Sequence, residues 1–102
     1  MRLVQFPPLC PFGSEDDAAL IESPGSRYYI MPIAEKDIFV RICIHEGGEV
    51  AYNIAEQVEI SDLMHDAVAG LEDVFRVDKT SRERLRKWGF CSLLGRIIYN
   101  NT

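Results

Sequence analysis

Cys43 and His45 stand two residues apart in RICIHEGGEVAYNI, residues 41–54, and are the first side chains in the chain that could do chemistry together. A thiolate–imidazole pair needs both groups within hydrogen-bond reach and a third group to orient the ring. Alternate residues of a strand point the same way but sit about 6.5–7 Å apart at the backbone, so contact is allowed but not aimed. Reactive cysteines favour helix N-termini or basic surroundings. The expectation is therefore a half-buried cysteine and a surface histidine beside Glu49, with a small Cys/His enzyme kept as an alternative. His65 reads as a solvated helix residue, and no further ligand cluster supports a metal site shared with His45. The chain has three cysteines, Cys10, Cys43 and Cys91, with no CxxC pair. That argues against a disulfide framework or a zinc site and for a reducing cytoplasm. GxGxxG, P-loop, HExxH and GxSxG motifs are missing, so neither a cofactor nor a catalytic residue is expected.

Charge is the second lead. The formal net charge is −5 over 102 residues. Residues 76–96 oppose seven Lys and Arg to Asp78 and Glu83 alone, so the rest of the chain is more acidic than the total. A dense acidic run includes Glu46, Glu49, Asp62, Asp66, Glu72 and Asp73. It reads either as a solvated surface or as a docking patch that steers a basic partner. Arg82, Arg86 and Lys87, beside Arg84 and Trp88, form a basic helix that could grip phosphates. A net acidic chain without a nucleic-acid motif makes that the weaker reading.

These residues depend on elements whose signals are mostly local. Residues 1–13 read as a proline-rich extended arm with Phe6, Leu9 and Phe12 laid across the domain. Its Gln5 and Pro7-Pro8 interrupt any secretory signal, so the arm reads as mature sequence. Ser14-Glu15-Asp16-Asp17 opens a short helix through Leu20 that Pro24-Gly25 stops. The competing reading is a strand over Ala18–Glu22 that turns at Ser23–Ser26. Residues 27–33 form a strand that Pro32 makes an edge or ends.

Ile38–Ile44 and Val50–Ile54 alternate as two strands of a hairpin. A three-residue loop, Glu46-Gly47-Gly48, sets Ile44 opposite Val50, Ile42 opposite Tyr52 and Val40 opposite Ile54, with every large aliphatic on one face. Ser61 is the expected cap of a helix whose stripe is Leu63, Met64, Ala67, Val68, Leu71, Val74 and Phe75. Thr80–Glu83 matches a capping box for the basic helix. Gly89 breaks it, and Ser92–Tyr99 continues as a helix in preference to a strand.

The fold class that follows is α+β in a single domain, 1–102. A small antiparallel sheet, hairpin 38–56 plus strand 27–33, carries two or three helices on one face. Trp88, Phe75, Leu71, Ile42, Ile44 and Tyr52 should be central, which sets the helices over the aliphatic face. No run of apolar residues is long enough for a transmembrane helix. By elimination the expected function is a small acidic cytoplasmic protein-binding module of inhibitor, immunity or chaperone type. It would occlude or tether another protein with a basic surface, or a second copy of itself. A nucleic-acid-associated regulator using residues 79–87 is the alternative.

Overall fold

A computed structural model of the chain describes residues 7, 10–33, 37–69 and 75–97. It is an α+β fold: four antiparallel strands in the order β1-β2-β3-β4 with three helices. Strands β1 (Ala19–Ser23), β2 (Ser26–Pro32), β3 (Ile38–His45) and β4 (Val50–Glu56) follow one another as a meander. Helices α1 (Gln57–Ala69), α2 (Lys79–Lys87) and α3 (Cys91–Arg96) come after the sheet.

The hairpin register is the one the alternation demands. Ile44 pairs with Val50, Ile42 with Tyr52 and Val40 with Ile54. Gly48 donates to the His45 carbonyl at 2.7 Å, and His45 donates to the Glu49 carbonyl at 2.9 Å. This loop closes with a left-handed residue, and Gly48 sits at φ 98, where a Cβ would strain the backbone.

Several local expectations are corrected. Ser14 caps only a 3-10 turn, Glu15–Asp17, and the chain then becomes strand at Ala19. Pairing with Ile30, Tyr29 and Tyr28 outweighs the helix propensity of Ala18-Ala19-Leu20. Strand β2 ends at Pro32 as foreseen, but it lies inside the sheet, not at an edge. Helix α1 starts at Gln57 with no intervening loop, so Ser61 is a buried residue inside it and not its cap. The Gln57 amide nitrogen donates to the Gly89 carbonyl at 2.6 Å and ties the start of α1 to the α2–α3 break. Helix α2 is capped by Asp78, whose carboxylate accepts from Ser81 N–H at 2.7 Å; Thr80 lies within the helix. Gly89, at φ 95, separates α2 from α3, and the last segment is helical as preferred. Leu71, Val74, Ile98 and Tyr99 lie outside the described residues, as do Phe6 and Leu9.

The larger correction concerns which face the helices cover. They pack on Ala19, Ile21, Tyr28, Ile30, Phe39 and Cys43, through Ile60, Met64, Leu85, Phe90 and Leu93 among others. Phe39 anchors this side, edge-to-face on Phe90 with centroids 5.3 Å apart and tilted against half-buried Trp88 at 5.8 Å. The aliphatic face is the opposite one. Tyr29, Met31, Val40, Ile42 and Ile44 form a second cluster, against which Cys10, Phe12, Leu20 and Ile33 pack. Phe75, Ile42 and Ile44 are buried as expected, but Tyr52 is exposed. Small Ala55 on the other side of β4 gives the reason: it lets the helical layer approach the sheet there and packs into the helical core, while Ala51, nearer the hairpin tip, stays exposed.

Two outcomes test this arrangement. Gly48→Ala should lower unfolding free energy by about 1–2 kcal/mol in urea titration, whereas Gly47→Ala, with nothing within 4 Å of the added carbon, should cost much less. Ile42→Ala, at a site 0% exposed, should cost about 2–5 kcal/mol. Ile54→Ala, at a site 51% exposed, should stay within about 1 kcal/mol.

Candidate functional site

The aliphatic face is not finished. Across the β3–β4 pairing, Ile44, Ile42 and Val40 are 1%, 0% and 0% exposed, while their partners Val50, Tyr52 and Ile54 are 41%, 44% and 51% exposed. Phe12 reaches the middle of this row, its ring centroid 5.8 Å from that of Tyr52. Single exposed apolar residues are ordinary, whereas a continuous row extending a buried cluster to the surface is a candidate interaction surface.

Acids bracket the row. Glu46 and Glu49 are exposed at the hairpin tip and Glu56 is exposed at the other end of β4. From Ile42 to Phe75 the chain has eight acids and no lysine or arginine. Asp62 and Asp66 are exposed on α1, which lies against the opposite face of the sheet. The acidic residues singled out from the sequence thus occupy two surfaces, the hairpin tip and the outside of α1, while Glu72 and Asp73 lie outside the described residues. Sequence reasoning missed the row itself. Its signal was present in small Ala55, which packs into the helical core, with the large residues of β4 alternating to the other side.

The basic helix is partly committed to its own chain. The Arg84 guanidinium donates to the Ala18 carbonyl at 2.8 Å and that of Arg82 to the Val77 carbonyl at 3.4 Å. Arg86 and Lys87 remain exposed. Arg82 and Arg86 also line a cavity of about 500 Å³ with Phe75, Val77, Cys91, Leu94, Gly95 and Ile97.

Cys43 and His45 do meet on the helix side of β3. The thiol sulfur lies 3.7 Å from His45 Nε2, and His45 Nδ1 lies 3.0 Å from Ser26 Oγ. Geometry alone resembles a nucleophile, a base and an orienting group. Protonation does not follow it. Burial pushes the Cys43 thiol up, and this outweighs the opposing pull of the Arg41 charge and of a hydrogen bond with Tyr28. The thiol is also covered, at 5% exposure. Neither the 500 Å³ cavity nor a smaller one beside Glu22, Ser23, Pro24 and Arg76 is lined by Cys43 or His45. Arg41 itself is held by its own surroundings: its guanidinium lies 5.4 Å from the Tyr28 ring centroid and donates to Asn53 Oδ1 at 3.1 Å. His65 Nε2 lies 3.3 Å from Ser92 Oγ. Among the described residues no group of three His, Cys, Asp or Glu could hold a metal ion, and no helix is long and apolar enough to cross a membrane.

Comparison with protein-family models, curated proteins and solved structures returns no match. The site must therefore be read from its own geometry.

A maleimide titration followed by peptide mapping checks the state of the thiol. In the folded protein at neutral pH, exposed Cys91 should react fully while Cys43 stays unmodified. Because its proton is held more tightly than in a free thiol, Cys43 should lag further as pH rises to about 8.5, where unperturbed thiols ionise.

Proposed function

We propose that this chain is a protein-binding module that docks a partner with a basic surface on the β4 side of its aliphatic sheet face. The observation that carries the reading is the abrupt change across one strand pair, from Ile42 at 0% to Tyr52 at 44% exposure, with acids at both ends of the exposed strand. Tyr52 is suited to be the anchor, since tyrosine offers large apolar area at low entropic cost and is enriched where binding energy concentrates. Glu46, Glu49 and Glu56 supply the rim, which speeds encounter with a basic surface and repels acidic ones.

Area sets the scale of the contact. A stable complex covers about 800 Å² per partner, roughly an eighth of the 6125 Å² surface here. Three side chains cannot supply that, so the footprint extends from the row to the hairpin tip and Glu56. Covering such a share of a small protein's surface suits occlusion or tethering, as inhibitors, immunity factors and secretion chaperones act. The acidic stretch opposes contact with nucleic acid phosphates on this face, and the inward bonds of Arg82 and Arg84 weaken the case for the α2 helix as a phosphate grip.

Affinity capture from the native host, compared quantitatively between variants, tests the reading. Partners recovered by the wild-type chain should fall at least tenfold with Tyr52→Ala and with Glu46→Lys/Glu49→Lys. Arg86→Ala/Lys87→Ala should leave recovery unchanged. Partners retained by both β4-side variants would refute it.

A further inference from the structure

The two edges of the sheet are finished in opposite ways. On β1 the outward backbone groups are satisfied in turn. The Ala18 carbonyl accepts from Arg84 at 2.8 Å, Leu20 N–H donates to Ser81 Oγ at 2.8 Å, and Glu22 exchanges bonds of 3.0 and 2.8 Å with Arg76. On β4 the ladder is fixed at both ends by His45 N–H to the Glu49 carbonyl and Gln57 N–H to the Asp37 carbonyl. Antiparallel pairing alternates, so Ala51, Asn53 and Ala55 bond to β3 while Val50, Tyr52 and Ile54 turn their N–H and C=O outward. Among the described residues nothing pairs with those outward groups.

Edges left open are usually blunted by proline, by lysine or by a bulge. Strand β4 has none of these: VAYNIAE contains no proline and no basic residue, and its pairing with β3 runs unbroken from Val50 to Glu56. The same three residues therefore present an apolar side chain on the aliphatic face and, among the described residues, an unpaired donor and acceptor along the edge.

We propose that β4 takes its partner by strand addition: an extended segment with apolar residues at alternate positions, flanked by lysine or arginine, pairs with the outer edge as a fifth strand. This rests on the docking role of the β4 face proposed above and specifies its mode. Segment residues opposite Val50, Tyr52 and Ile54 fall on the aliphatic face and extend its apolar row. Basic residues at the segment's two ends meet Glu46 and Glu49 at the tip and Glu56 at the far end. The same charges disfavour a second copy as occupant. Antiparallel pairing of two β4 strands sets Glu46 and Glu49 of one copy beside Glu56 and Glu59 of the other, with no basic residue between Ile42 and Phe75 to offset them.

The test is an NMR titration of the isotopically labelled full chain with acetyl-KVTVTVK-amide and two copies of it N-methylated on alternate residues, one copy per frame. In the free protein the amides of Val50, Tyr52 and Ile54 should exchange quickly and those of Ala51, Asn53 and Ala55 slowly. The parent peptide should slow the first three at least tenfold. Methylation in one frame should abolish this effect, and methylation in the other should leave it within about twofold. Replacing both lysines by glutamate should weaken binding at least tenfold. Slow exchange of the three amides without peptide overturns the proposal, since the edge is then filled by the chain itself or a second copy. Equal binding of the glutamate peptide overturns the basic partner. Binding that survives methylation in both frames but is lost with Tyr52→Ala overturns strand addition while leaving the docking face intact. A parent peptide that leaves every β4 amide unchanged at millimolar concentration also overturns strand addition, and the capture experiment then decides the broader reading by itself.

Discussion

Burial of β3 on both faces is the constraint from which the rest of the structure follows. Phe39 and Cys43 point into the helical core, while Val40, Ile42 and Ile44 point into a second cluster, and all five are at most 5% exposed. A sheet that is apolar on both sides needs a layer on each. Three helices cover one side. Among the described residues the other is met by Cys10, Phe12, Leu20 and Ile33, which pack on the β2–β3 half of the face; Phe12 also reaches Tyr52, yet Val50, Tyr52 and Ile54 stay 41%, 44% and 51% exposed. The exposed row is thus the margin of a core layer and not an isolated surface feature.

Charge and edge chemistry act together at that margin. An open apolar edge invites self-association, yet the acids at both ends of β4 oppose its pairing with a copy of itself. A basic segment sees the reverse: attraction at both ends and an apolar row between. In the proposed mode, selectivity would come from which partners the carboxylates reject as much as from what the row accepts. On β1 the problem is solved internally, by α2 and the Arg76 bridge, so among the described residues β4 is the edge left unpaired.

The Cys43–His45–Ser26 cluster shows why proximity is not chemistry. Two strand residues of the same face met a third from the neighbouring strand at hydrogen-bond distances. The same burial that brings them together disfavours the thiolate that a nucleophile needs. The cluster sits at the edge of the helical core, where a neutral thiol packs as a small apolar group.

The sequence by itself determined the local geometry. Alternation in residues 38–54 and the Gly47-Gly48 pair set the hairpin register. Gly89 set the break between the last two helices, and the carboxylates fixed the sign of the surface around β4. These are decided by neighbours a few residues apart. Cap positions were legible only approximately: α1 follows β4 directly from Gln57, which puts Ser61 inside the helix, and Asp78 in place of Thr80 caps α2. The tertiary structure alone decided which face of an apolar sheet the helices cover. Both faces of β3 carry large hydrophobic residues, so periodicity could not rank them. The choice fell to how closely the helical layer can approach β4, and the small side chain of Ala55 admitted it on that side. Tyr52 and its neighbours were left to the surface for that reason: they belong to the face that, among the described residues, no helix meets.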